Sequence, residues 1–257
     1  MAGVNVLEKA GRLLDVLALH GEISIAALVE ELDEPRTTVY RLLESMTELG
    51  WVEQGSQRAH YRLGLKLFRL GSAVAARFDE RQAALPVMEH LHEQTGDTVF
   101  LCIRRGFEAV CIERIEGARV QTLELRLGGT LPLHVGAAPR TLLAFEDQQL
   151  WDEYLYRAAL TTYTDRTPNT PERVRETLAQ DRAAGLAVSD EDVTIGIASI
   201  GGPIFDHAGR IRAAVSISGL AAQLLGPERK RHEQLVRDAA AQISHALGYI
   251  KEENAVV

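Results

Sequence analysis

Apolar side chains recur at spacings of three and four from the start of the chain. Val6, Ala10, Leu13, Leu14, Leu17 and Ala18 form one stripe of a helix that Gly21 ends. Ser24 is placed to cap a second, shorter helix by accepting from a free backbone amide, with Ile25, Leu28, Val29 and Leu32 on its inner face. The run Asp33-Glu34-Pro35 breaks that pattern, because proline disfavours helical geometry at the residue before it and suits the first turn of a new helix. In that third helix Val39, Leu42, Leu43, Met46 and Leu49 face inward, and Gly50 stops the run. At about 100° per residue, Thr37, Arg41, Glu44 and Glu48 lie opposite that stripe, with Thr38, Tyr40 and Ser45 on the flanks. Next, WVEQGSQRAHYRLG alternates on either side of Gln54-Gly55-Ser56, the mark of a β-hairpin. Three helices and a hairpin predict a winged helix-turn-helix, whose third helix enters the major groove of DNA. Arg36, Thr37, Thr38, Tyr40, Arg41 and Ser45 are then the candidates for base edges and phosphates, and Arg58 on the wing for backbone contact.

Leu63, Leu65, Leu67, Leu70, Val74 and Phe78 predict a linker helix over residues 64–80, after a first domain at 1–63. The remaining chain, 81–257, alternates differently. RQAALPVMEHLHEQTG reads as a helix, TVFLCIRRG and FEAVCIERIEG as antiparallel strands turning at Gly106, and VQTLELRLG as a further strand. Helices are predicted from Ala137 to Phe145, through QQLWDEYLYR, and from the Thr170-Pro171 cap to Gly185. The strands LAVSDED, IASIGGPIFD and IRAAVSISG precede a final helix introduced by Gly226-Pro227 and running through His245. Because strands and helices mix without a regular βαβ repeat, the class is α+β with two domains, the larger built on a mostly antiparallel sheet flanked by helices.

Composition sharpens this picture. At 257 residues, 46% hydrophobic and 25% charged, the chain is an ordinary globular one, long enough for two domains. A net charge of −8 argues against nucleic acid on average, since phosphate binding is driven by Lys and Arg. The average hides a division. Residues 1–34 set Lys9 and Arg12 against seven acidic side chains, for −5, whereas in 35–66 Arg36, Arg41, Arg58, Arg62 and Lys66 face only Glu44, Glu48 and Glu53, for +2. No run approaches the length of apolar residues needed to span a bilayer, and the start of the chain is unlike a secretory signal, so a cytoplasmic protein without a membrane partner is expected.

The residues that carry chemistry in other proteins do not assemble here. Cys102 and Cys111 fall in predicted strands, where a cysteine is more often a small buried hydrophobe than a nucleophile, and one pair makes no thiolate zinc site. His90 and His92, two apart on a helix, point in different directions. His134 has no acid or base near it in sequence, and Ser216 and Ser218 lack a nucleophile-elbow setting, their plain reading being hydrogen bonds within the sheet. No catalytic residue, metal or cofactor is therefore assigned. The rival readings are a small-molecule enzyme with an accessory helical domain and a DNA-binding protein whose second domain only dimerises.

Three strings, TTVYRLLESMTELGWVE with the later YRLG, LPLHVGAAPRTLLA, and GLAVSDEDVTIGIASIGGPIFDHAGRIRAAVSISG, resemble the IclR family of bacterial transcriptional regulators over nearly the whole chain. The resemblance implies a GAF-like C-terminal effector domain, a homodimer or a tetramer made of dimers, and an operator that is an inverted repeat in double-stranded DNA. It implies too that a small organic effector, a carboxylate or an aromatic, lies between the sheet and the loop leading into the LPLH-type helix. By position its contacts are the amides of Ala137 and Ala138, the side chains of Ser199, Ser216 and Ser218, Ser189 or Asp190 at the mouth, and apolar walls from Leu123, Leu131 and Ile197. Amides at a helix start attract anions, and Ser216 and Ser218, two apart on a strand, face the same side. The chain departs from the family text at Pro139-Arg140-Thr141, where a Gly-Lys-Ala-like triplet is more typical, with Arg140 in place of the usual basic residue.

Overall fold

The computed structural model describes residues 2–75, 79–118, 120 and 125–250. The chain divides into two compact units, residues 1–77 and 78–257. In the first, α1 (Ala2–His20), α2 (Ile25–Leu32) and α3 (Arg36–Glu48) enclose a core of Leu13, Leu17, Leu28, Val39 and Leu43. Ser24 Oγ accepts from Ala27 N at 3.3 Å and caps α2, and Asp33 closes it in a left-handed conformation. Val6, Ala18 and Leu49, expected on the inner stripes, are exposed, because they sit at the ends or edge of their helices beyond the reach of the packed partner.

The wing is β2 (Val52–Gln54) and β3 (His60–Leu63), antiparallel, with Glu53 opposite Arg62. Its connection spans Gly55–Ala59, longer than the expected Gln54-Gly55-Ser56 turn, and Glu22 holds it by accepting from Ser56 Oγ at 2.8 Å and Gln57 N at 3.3 Å. Glu22 belongs to β1 (Glu22–Ser24), a third strand pairing with β3 that is too short to show alternation in sequence. The linker helix is α4 (Leu65–Ala75), which leaves Leu65, Phe68 and Leu70 exposed; Phe78, expected on its stripe, lies outside the described residues.

The second unit is built on six antiparallel strands: β4 (Thr98–Arg105), β5 (Glu108–Ile115), β6 (Thr130–Pro132), β7 (Ala187–Asp190), β8 (Ile197–Phe205) and β9 (Ile211–Leu220), in the spatial order β6-β5-β4-β9-β8-β7. Strand alternation sends Val99, Leu101, Val215 and Ile217 to one face, against α5 (Asp79–Thr95) and α10 (Arg229–Ala246). Phe100, Cys102 and Ala214 go to the other, against α6 (Ala137–Ala144), α7 (Gln148–Arg157) and α8 (Pro171–Ala184). The expected strand VQTLELRLG does not appear in its described part. Residues 121–124 lie outside the description, and 125–129 run through a turn in which Gly128 takes φ 78°, leaving β6 as the edge strand. A single helical turn, α9 (Ala221–Leu224), escaped the sequence pattern for the same reason as β1, its brevity.

Two adjacent glycines in β8 decide how closely both layers approach. A Cβ on Gly201 would lie 2.9 Å from the Ala137 carbonyl carbon and oxygen, and one on Gly202 would lie 2.9 Å from Ala240 Cβ. The first lets the start of α6 rest directly on the sheet; the second does the same for α10 on the opposite face.

Candidate functional site

Two regions gather the residues singled out by sequence. On α3, Val39, Leu42, Leu43 and Met46 are buried, and this turns Arg36, Thr37, Tyr40, Arg41, Glu44 and Ser45 outward with Thr38 half-buried. Arg36 lies over the Tyr40 ring at 5.6 Å and donates to its hydroxyl at 3.4 Å, so the first turn presents a stiffened basic and aromatic ledge. Among the described residues no acidic side chain pairs with Arg41, nor with Arg58, which stands exposed in the wing loop. Both acidic residues of α3, Glu44 and Glu48, fall in its second half, leaving the leading end positive.

The second region is a cavity of about 60 Å³ in the larger unit, room for about four waters. Its lining includes Leu131, Ala137, Ala138, Ser189, Ile197, Ser199, Ser216 and Ser218, eight of the ten effector residues expected from sequence. Register explains the convergence of the serines: Ser189 faces Ser199 across β7 and β8, and Ser199 faces Ser218 across β8 and β9, so they form one row on one face. Leu123 lies outside the described residues. Asp190 follows Ser189 on β7 and so turns to the other side, where it pairs with Arg166 at 2.6 Å in a neighbouring cleft.

Above this row, Gly136 begins α6 with φ 73°, a left-handed turn that favours glycine. Its N–H donates to both Asp192 carboxylate oxygens at 3.3 Å, and Ala137 N–H donates to Ser199 Oγ at 3.2 Å. Pro139 has no N–H, so Ala138 is the remaining donor of this helix start.

Arg140 does not reach into the cavity. Its guanidinium clasps Asp181 through two hydrogen bonds of 2.9 and 3.1 Å, donates to Asp192 at 2.9 Å and reaches the Val188 carbonyl at 2.7 Å. Burial works to lower its pKa, but the two carboxylates outweigh that and hold it above its ordinary value. Asp192 in turn accepts from Ser189 Oγ. The cavity wall thus rests on a buried ionic network, and no sequence pattern marks its hub, Asp192, although it sits two residues beyond Asp190. Phe100, Gly136, Val193 and Thr194 also line the cavity unforeseen; Phe100 is legible only through its register opposite Ser216.

The remaining candidates hold structural places. His134 is buried, with Nδ1 2.7 Å from the Tyr154 hydroxyl and Nε2 3.0 Å from the Thr161 carbonyl, and burial lowers its pKa, keeping it neutral. Cys102 and Cys111 are partners across β4 and β5, both buried, and the Cys111 hydrogen bond together with burial pushes the Cys102 thiol well up. Among the described residues no cluster suits a metal ion, and no helix is long and apolar enough to cross a membrane.

Comparison with known proteins places both units. Residues 6–56 match the family model described as the IclR helix-turn-helix domain, and residues 72–245 that described as the bacterial transcriptional regulator IclR C-terminal domain. The HTH-type transcriptional regulator KipR of Bacillus subtilis is 32% identical over 241 residues, covering 94% of this chain and 96% of KipR. The crystal structure of the Thermotoga maritima IclR superposes with a TM-score of 0.81 at 32% identity, over 96% of this chain and 100% of that one. An IclR homologue of Microbacterium hydrocarbonoxydans, crystallised in complex with 4-hydroxybenzoate, shares the fold with a TM-score of 0.80 at 24% identity, over 94% and 98% of the two chains.

Proposed function

We propose that this chain, which belongs to the IclR family of bacterial transcriptional regulators, binds an inverted-repeat operator through α3 and the wing and adjusts that binding to a small organic acid. The observation that carries the reading is the cavity at the start of α6, where an amide donor and a row of serines meet apolar walls. A helix start offers its free amides and partial positive charge to an anion. The carboxylate takes Ala138 N–H and the hydroxyls of Ser199, Ser216 or Ser218, and Leu131 and Ile197 receive the rest of the molecule. Thr37, Thr38, Arg41 and Ser45 face the bases, Arg36 and Tyr40 the phosphates at the leading end, and Arg58 the backbone beside the wing.

In this reading residues 1–63 bind DNA, 64–80 link, and 81–257 sense the effector and assemble a homodimer or a dimer of dimers in the cytoplasm. The exposed Leu65, Phe68 and Leu70 of α4 suit burial against a second copy. An effector shifts operator affinity only by the difference in its affinity for the DNA-bound and released arrangements. The test is to recover the operator by genome-wide footprinting of the full chain, then titrate the complex with small organic acids, 4-hydroxybenzoate first. A saturable change in operator affinity that Ser216→Phe and Ser218→Phe abolish, with binding of the unliganded protein intact, is the expected result. Loss of DNA binding in those variants, or turnover of an acid, overturns it.

A further inference from the structure

Beside the effector cavity the fold buries a cation to which effector binding through α6 and the serine row gives no task. Arg114 extends from β5 on the cavity face of the sheet, directly opposite Phe100 on β4. Its side chain is only 9% exposed. The guanidinium carbon sits 5.5 Å from the centre of the Phe100 ring, and Nη1 donates to the Leu125 carbonyl at 3.3 Å. Phe100 and Leu125 both line the cavity. Arg114 therefore lies behind that wall, one aromatic ring away.

Among the described residues its charge is poorly met. The carboxylate that pairs with it, Glu116, is 3.6 Å away and itself 77% exposed, and the buried Arg114 Nε has no hydrogen-bond partner. The buried guanidinium of Arg140, by contrast, is answered by two carboxylates and a carbonyl. A buried cation left with an open donor is costly unless something else completes its shell. At about 60 Å³ the cavity is smaller than the roughly 150 Å³ that holds a benzene ring, so a ring-sized acid needs further space. Phe100 lines the cavity on the side of Arg114, and reaching the guanidinium from the cavity requires its ring to turn about its side-chain torsions.

We propose that Arg114 is a second anion anchor of the effector site, and that the effector class the site selects is a diacid, with one carboxylate at the α6 start and the other on the Arg114 guanidinium. This rests on the effector reading and goes further by naming the ligand's second acidic group. The span is suitable. Arg114 lies over Phe100 on β4, the α6 start rests on β8, and β9 alone stands between those strands, so the two anchors are roughly 10 Å apart. After allowing for a contact at each end, a short-chain or benzene-ring diacid bridges that gap. Once turned, the Phe100 ring packs against the ligand's carbon frame.

The experiment compares acids that differ only in the second carboxylate, succinate against butyrate and terephthalate against benzoate, by calorimetric titration of the full chain. Wild type is expected to bind at least one diacid about tenfold or more tighter than its monoacid, the scale of one charge-assisted pair. Arg114→Met removes that ratio while keeping monoacid affinity, Arg114→Lys restores part of it, and Phe100→Ala, which removes the partition, leaves the ratio intact or larger. Circular dichroism melting confirms that each variant is folded, and Arg114→Lys keeps the charge should the Met variant fail to fold. An unchanged ratio in Arg114→Met, or a wild type that binds monoacids as tightly as diacids, overturns the proposal and leaves the effector reading standing. A wild type that binds none of the four acids overturns both.

Discussion

At the scale of single residues, Arg140 and Arg114 show how much a guanidinium's surroundings decide its use. Arg140 stands where the family resemblance implies a basic residue, and its donors are engaged by Asp181, Asp192 and Val188 outside the cavity. Its work is to hold Asp192, and through it the Gly136 amide and Ser189, in place. Replacing it by leucine strands two buried carboxylates, so Arg140→Leu is expected to lower unfolding free energy in urea by about 3–5 kcal/mol. A loss below about 1 kcal/mol would mean that the aspartates find water or protons instead, and that the network is not a support for the cavity. Nothing in the linear sequence distinguishes these fates, because the partners lie 41 and 52 residues away.

At the scale of elements, β8 joins the two layers of the larger unit through its paired glycines. Adding a methyl group at either site forces backbone or packed side chains to move, at a cost of about 1–3 kcal/mol. The functional outcomes differ by face. Gly201→Ala pushes against Ala137 and is expected to weaken organic-acid binding as well as stability, whereas Gly202→Ala pushes against α10 and costs stability alone. Titration and urea melts of both variants check this; equal effects on binding would mean that the cavity does not depend on how α6 is seated. The elements themselves were largely legible. Helical stripes such as Val39, Leu42, Leu43 and Met46 arise from burying one face at the helical period, and the continuous apolar run Phe100 to Ile103 from a strand covered on both faces. What stayed hidden was short or dictated from afar: β1 exists because β3 lies beside it, and the described end of VQTLELRLG gives way to a turn at Gly128. The serine row shows the same limit, for the pattern gives each strand's faces but not which strands become neighbours.

At the scale of the whole molecule, the net charge of −8 is unevenly spread, and the proposed DNA contact falls in residues 35–66, whose balance is positive. If α3 reads bases and the wing loop touches phosphate, Arg41 and Arg58 contribute in distinguishable ways. Arg58→Ala is expected to weaken binding to all sequences alike and to reduce the slope of log affinity against log salt by about one, while Arg41→Ala costs at least tenfold on the operator and blurs its sequence preference. Gel-shift titrations at several salt concentrations on operator and scrambled DNA separate the two; identical profiles would count against the docking geometry. The proposed function thus puts a charge-driven contact in one unit and a mostly apolar cavity in the other, each with its own physical lever. One detail of the cavity bears on the proposed response. Ser199 Oγ already accepts from the Ala137 amide, which leaves its hydroxyl proton to be donated elsewhere. In the proposed site a carboxylate receives that proton, so the serine hands the pull of the helix start on to the ligand instead of contending with it.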